Sequence, residues 1–553
     1  MNVRHPVRAL PLVLLLASGA CRCGEGAGPR AYDVGVPLAD LPGAQPAALS
    51  AAVPGPVLLY AETADGRALA RQVQESAWFL ALQKSGSDRA LALSGAGATL
   101  TALAQRLNDL SRNPIGDEAL GDLLDGPLAV AVRPRARGGF DLLVLKSVSA
   151  SQQGALKLAQ MLEAVHPSAS ALRVDRHRGL PVRALRVDGT HQLYYVVLRD
   201  RLLLASDDAW LKAALDVALG QAAATEQPAV HAVQSQAAHD RGFAAIDTEV
   251  ALRSPSLGTG ARALAGLSWV GFRWTDSGVE LGVRRAHGTF GQPGPPLPLP
   301  PNAALALWRE ASLSELLALP EPVDTGAPLD GGAPDAGPPD AHALAGRALL
   351  AQVQAALEPA LEGHALYALS REAEPEPAVE LAKNAPPEPH RPAQHLLALS
   401  TRSPATPALD ALAPALFRAP PAHRDELAPG ARCEGSPAAV CWAELGPMLA
   451  MSTAPSALKL EGDPARVQRA TPSGPFSIYL DAAELAGLLG RAATGSKRHA
   501  PAELDALAAA LRTEPPLLAK LERTKDGHEA WGPVLPTLRP IEPKRESKDG
   551  GAP

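Results

Sequence analysis

Arginine is concentrated in one stretch of the chain: Arg173, Arg176, Arg178, Arg183, Arg186, Arg199 and Arg201, with His177, Tyr194 and Tyr195 among them. A guanidinium group presents a flat fork of donors that fits phosphate or carboxylate. Several of them on one face of adjacent strands would make a candidate anion-binding site, suited to anionic lipopolysaccharide or an acidic polymer. The competing reading is a solvated face neutralised by nearby acids. A later stretch that corresponds in position keeps only Arg424 and Arg432.

Other fragments of catalytic signatures lack their partners. Asp324-Thr325-Gly326 matches the triplet of aspartic proteases, but that chemistry needs two carboxylates sharing a proton, and the triplet occurs once, in a Pro/Gly/Ala-rich stretch. Ser456-Ala457-Leu458-Lys459 has the Ser-x-x-Lys spacing that puts a lysine beside a serine nucleophile on one helical turn. Neither Ser-Asp-Asn nor a following Lys-Thr-Gly accompanies it. The chain has no Gly-x-Ser-x-Gly elbow, no His-Glu-x-x-His pair, no Walker loop and no dinucleotide fingerprint. The 14 histidines are scattered, and His231 and His239 near Asp240 lack a third ligand. No catalytic residue, metal ligand or cofactor is assigned on this basis, and a non-catalytic protein is expected.

Those residues sit in a chain of 553 with 52 basic and 58 acidic side chains, a formal charge of −6. That balance argues against a basic nucleic-acid binder, and an aromatic content of 4% argues against base-stacking platforms. At 46% hydrophobic the chain can build cores, while 48 glycines and 54 prolines predict long irregular joints.

The N-terminus carries export information. Arg4, His5 and Arg8 precede an apolar run to Ala17 and the small residues Ser18-Gly19-Ala20, so residues 1–20 read as a secretory signal peptide. The run is too short to span a bilayer, which takes about 20 residues. With Cys21 following Ala20, the junction Ser18-Gly19-Ala20-Cys21 resembles the lipobox of bacterial lipoproteins, with Ser18 where leucine is usual. The resemblance implies a diacylglyceryl group on Cys21 and anchoring to a membrane. Arg22 in place of the inner-membrane-retaining aspartate implies the outer membrane, facing the periplasm or the surface. Plain cleavage after Ala20 and a free secreted protein is the alternative. In an oxidising compartment Cys433 and Cys441 would form a disulfide, with two buried thiols as the other outcome. Their seven-residue spacing does not suit a zinc knuckle. Cys23 has no partner in this scheme and is expected as a free thiol.

Along the mature chain, strand and helix patterns alternate. Strands are expected near Val57–Tyr60, Leu128–Val132, Phe140–Lys146, Pro181–Val187, Leu193–Leu198, Leu202–Ala205 and Phe243–Asp247, and a hairpin near Leu267–Val283. Helices are expected near Arg67–Leu82, Leu100–Leu110 and Gly154–Val165, and after Asp207-Asp208. Hairpins between helices favour an α+β fold with antiparallel sheets. The order then recurs: Leu124–Ala131 matches Leu361–Ala368, Leu142–Leu145 matches Leu396–Leu399, Arg201–Ser206 matches Pro447–Ser452, and Phe243–Asp247 matches Phe476–Asp481. The expected organisation is therefore a signal peptide (1–20), a tether (21–49), two tandem homologous α+β domains (50–286 and 300–533), a Pro-rich linker (287–299) and a tail (534–553). The linker, the tail and an insertion at 322–341 have compositions that predict disorder. The paired pattern resembles secreted bacterial envelope proteins grouped only as a domain of unknown function, a resemblance that brings no catalytic residues.

The expected role is a non-catalytic cell-envelope lipoprotein that interacts with or scaffolds an envelope protein or anionic polymer, with no nucleic-acid partner. A secreted hydrolase with a site between the two domains, or an anion-binding module built on the arginines, are the alternatives.

Overall fold

Apolar runs broken by glycine-bearing turns become strands, and each finds a neighbour through short antiparallel ladders. The computed structural model describes residues 40–41, 48–74, 124–135, 139–148, 172–186, 192–222, 227–237, 240–254, 257, 261, 264–275, 278–291, 299–300, 302–317, 351–370, 394–416, 421–425, 428–434, 440–453, 458, 475–494, 509 and 516–535. The signal segment, Cys21, Cys23, the helices expected at 100–110 and 154–165, the 322–341 insertion, Ser456, Lys459, His239 and the tail from residue 536 lie outside them.

The first half contains β1 (Leu59–Thr63), α1 (Gly66–Gln74), β2 (Leu128–Pro134), β3 (Phe140–Ser147), β4 (Leu172–His177), β5 (Leu180–Arg186), β6 (Gln192–Val197), β7 (Arg201–Ala205), α2 (Asp208–Ala218), α3 (Pro228–Gln236), β8 (Gly242–Asp247), α4 (Thr248–Arg253), β9 (Leu267–Thr275) and β10 (Gly278–Arg285). The second half contains β11 (Ala303–Glu310), α5 (Leu313–Leu317), β12 (Leu361–Ser370), β13 (Gln394–Thr401), α6 (Thr406–Leu416), β14 (Ala422–His423), β15 (Arg432–Glu434), β16 (Val440–Glu444), β17 (Met448–Ser452), β18 (Phe476–Leu480), α7 (Ala482–Thr494), β19 (Leu517–Arg523) and β20 (Glu529–Leu535).

Among the described residues all pairings are antiparallel and join the strands into one 20-stranded sheet. From one end the order is β4-β5-β6-β7-β3-β2-β1-β8-β9-β10. β10 pairs with β20, and the order continues β20-β19-β18-β11-β12-β13-β17-β16-β15-β14. Predominantly antiparallel sheet with helices is the α+β class expected from the hairpin spacing.

Strand boundaries moved where backbone bonding overrode local apolarity. β1 starts at Leu59 rather than Val57 and runs on to Thr63, because its ladder with β2 extends from Leu59–Val132 to Thr63–Leu128. β4 and α3 were not anticipated, and α3 occupies the stretch read as a polar connection around His231.

α2, α4 and α7 start on aspartates. Asp207 accepts from the N–H of Trp210 (2.7 Å), Asp247 from Val250 (3.0 Å), and Asp481 from Ala483 and Glu484 (both 3.1 Å). α2 and α3 cover one face of the sheet, where Trp210, Leu211, Leu215, Val230 and Val233 bury against Tyr60, Leu143, Leu145, Val196 and Leu203. Gly271 lets α3 approach, since a Cβ there would lie 2.6 Å from Val233.

The junction between the halves is filled on both faces. On one, Leu267, Val270, Leu281, Val283, Phe290, Phe476, Leu521 and Ala530 form an apolar cluster drawn from both sides. On the other, the Trp531 ring lies over Gly282, where a Cβ would meet it at 2.5 Å, and stacks at a tilt against Trp269, 5.7 Å between centroids.

Candidate interaction site

The arginine stretch folds into β4 to β7, at one end of the sheet. β4 and β5 are joined by Arg178-Gly179, both at positive φ (51° and 81°), the two-residue turn whose twist matches a hairpin. Because side chains alternate along a strand, the cluster is divided between two faces. Val174 stands opposite Arg183, and Arg176 shares their side of the sheet. Asp175 stands opposite Val182 on the helix-covered side, together with His177.

On the helix side the charges close on α2. Asp216 receives His177 Nε2 (2.9 Å) and Arg178 Nε (2.8 Å), and these donors hold its carboxyl below the usual range although burial pushes the other way. Lys212 bonds Asp175 (3.1 Å) and Asp208 (2.7 Å). Pleating thus divides the stretch: Arg176 and Arg183 lie on one side of the sheet and His177 on the other, with Arg178 turned back to α2. The backbones of Arg173 and Arg186 lie in β4 and β5, but their side chains are outside the described residues. Arg199 is exposed in the β6–β7 turn and Arg201 opens β7.

On the other side Val174 and Arg176 are exposed, and Val174 keeps 55% of its surface in solvent. The closing pair of a two-residue hairpin is hydrogen-bonded, so His177, Asp175 and Arg173 bond toward β5 while the peptide groups of Val174 and Arg176 point away from it. Consistently, Arg176 N–H donates to the Asp175 carboxylate (2.8 Å). Among the described residues β4 pairs with β5 alone. At the other end of the sheet β14 is only Ala422–His423, and Arg432 beside it bonds Asp410 (2.7 Å). The expected pair Cys433 and Cys441 sit directly opposite each other on β15 and β16, joined as a disulfide with S–S 2.02 Å and Cα–Cα 4.1 Å.

No protein-family model, no curated protein and no solved structure matches this chain.

Several polar clusters escaped the sequence, and what they do locally is structural. Buried Lys146 donates to the carbonyls of Asp125 (2.5 Å) and Ser147 (2.5 Å) and, more distantly, Pro127 (3.4 Å), tying the β2 entry to β3. Tyr60 donates to Glu62 Oε2 (2.6 Å); burial drives the Tyr60 hydroxyl upward, and burial also raises the Glu62 carboxyl. At the junction, Arg285 of β10 bridges Glu310 (2.9 Å) of β11 and Glu315 (2.9 Å) of α5, while buried Arg309 donates to Ala265 O. Burial lowers the Arg309 guanidinium to about 10. Ser312 and Glu315 cap α5 reciprocally, Glu315 N–H to Ser312 Oγ (3.2 Å) and Ser312 N–H to Glu315 Oε2 (2.8 Å). Tyr367 and His395 meet at 2.7 Å, and burial holds the imidazole below its ordinary value. Among the described residues no group of three or more His, Cys, Asp or Glu could hold a metal ion, and no helix is long and apolar enough to cross a membrane.

Proposed function

We propose that this protein is a cell-envelope lipoprotein, anchored through Cys21 to the outer membrane, whose body is an interaction or scaffold module rather than an enzyme. The observation that carries the compartment is the Cys433–Cys441 pairing, because cross-links of this kind persist outside the reducing cytosol. It agrees with the signal peptide and the cysteine that follows it.

We further infer that the body arose by duplication into two tandem homologous domains. The sheet runs through equivalent strands in the same order outward from the β10–β20 pair. Backbone bonds recur at matching points: Asp247 N–H to Leu58 O (3.0 Å) and Asp481 N–H to Ala304 O (2.9 Å); Ser206 N–H to Leu142 O (2.9 Å) and Thr453 N–H to His395 O (3.0 Å). Hydroxyl caps recur with them, Ser206 Oγ accepting from Leu142 N–H (2.9 Å) and Thr453 Oγ1 from His395 N–H (3.0 Å). Gly126 and Gly363 enter the second strand of each half at φ 84° and 86°. Matched by register, Leu143 corresponds to Leu396, one residue from the pairing the sequence suggested.

The apolar filling of the β10–β20 junction favours the scaffold reading over a hydrolase with its site between the domains. The test is fractionation of cells making the full chain with and without Cys21→Ala. The proposal expects the unaltered protein in outer-membrane fractions and the variant in the soluble periplasm; an unaltered protein that is soluble would overturn the anchor.

A further inference from the structure

We propose that β4 is a docking edge for an extended acidic segment of a partner protein, which adds as a further strand at the first-domain end of the sheet. The inference deepens the interaction role proposed above, but it depends only on the folded body and not on the anchor.

Two features of β4 motivate it. The peptide groups of Val174 and Arg176 face outward, so an incoming backbone can continue the ladder, the mode by which extended peptides join sheet edges. Natural sheets usually shorten or cover such edges, as the two-residue β14 illustrates at the opposite end, whereas β4 presents six residues. An incoming strand would also cover Val174, the large apolar side chain most exposed among the described residues.

Charge selects the occupant. The protein carries a formal −6, yet on the face that an incoming strand would share with Val174 this hairpin places Arg176 and Arg183, while His177 and Arg178 are bonded to Asp216 of α2. Asp175 lies on the α2 side, bonded by Lys212. A strand beside β4 would therefore place alternate side chains next to Val174 and Arg176, which suits an apolar residue two positions from an acidic one. A second copy of this chain is a poor occupant, because edge-to-edge pairing of two β4 strands gathers like charges. The Asp175 carboxylate, which holds the Arg176 N–H, is what the entering backbone must displace.

The experiment uses the full mature chain and a fluorescein-labelled octapeptide, Gly-Thr-Val-Thr-Glu-Thr-Glu-Gly, which puts a valine and a glutamate two positions apart on one face, followed by anisotropy and by the amide signals of Val174 and Arg176. Binding is expected, with shifts confined to β4 and β5. Raising salt from about 50 mM to about 500 mM should weaken it. Arg176→Glu should lower affinity by about ten-fold or more, and Asp175→Asn should raise it. Because variants can misfold, a peptide N-methylated on alternate residues tests the backbone requirement on unaltered protein and should not bind. Equal binding of the N-methylated peptide, equal binding of the lysine-for-glutamate peptide, or no binding by the unaltered protein would each overturn the proposal. None of these outcomes bears on Cys21, so the anchor and the docking edge fail separately.

Discussion

Tyr60 and Tyr479 occupy matching points of the two halves from opposite strands of the pair. Tyr60 on β1 faces Ala245 on β8, whereas on the equivalent strands Ala306 of β11 faces Tyr479 of β18. The same exchange recurs two ladders away, where Ala129 faces Leu145 and Leu366 faces Ala398. A buried cross-strand pair keeps its combined volume when large and small trade places, which is how cores drift without leaving cavities.

This exchange predicts a rescue. Leu145→Ala should cost about 2–5 kcal/mol in urea unfolding, as buried leucine truncations do. Adding Ala129→Leu should recover more than half of it, because the new side chain fills the space from the facing strand. Additive loss in the double variant would contradict the register.

The junction should tolerate little. Gly282 has ordinary backbone geometry, so its need for glycine comes from the Trp531 ring alone. Gly282→Val should destabilise by about 1–3 kcal/mol or more. Trp531→Leu on that background should restore part of the loss, read by thermal unfolding.

Glu62 gives a pH dependence. Desolvation raises its carboxyl in the fold, so the folded state holds the proton more tightly than the unfolded chain. The associated stability is present below the ordinary carboxylate value and is lost as pH rises through the raised one. Glu62→Gln should therefore gain stability relative to the unaltered protein as pH rises above the ordinary carboxylate value of about 4 and through the raised one. A relative loss with rising pH would contradict the assignment.

The disulfide closes a short loop at the end of the sheet where β14 and β15 have only two and three residues. Removing it as Cys433→Ala with Cys441→Ala should cost about 2–3 kcal/mol. Reducing agent should lower the melting temperature of the unaltered protein but not of the variant, and two free thiols in native protein would contradict the cross-link.

What was legible in the sequence was what local pattern carries. Alternating strands such as Leu128–Val132, the Gly-bearing hairpins and the Asp207 helix start all announce themselves. β4 was legible too, since Leu172 and Val174 alternate with charged residues before Arg178-Gly179, but the arginine content drew it toward a surface patch. The division of that patch was implicit in the two-residue side-chain period and needed only the strand to be recognised. The Lys146 carbonyl cage, the Arg285 bridges and the Trp531–Gly282 contact were not legible. The Lys146 cage needs β2 paired with β3, the Arg285 bridges need β11 and α5 brought beside β10, and the Trp531 contact depends on how β10 meets β20.

The central functional claim is the anchored, exported state of the chain. Its most direct test is the mass of the mature N-terminal peptide from a membrane fraction. The account predicts a peptide that begins at Cys21 and carries a diacylglyceryl group on its sulfur. A peptide that retains Met1, or an unmodified Cys21 on protein recovered from the soluble fraction, would contradict it.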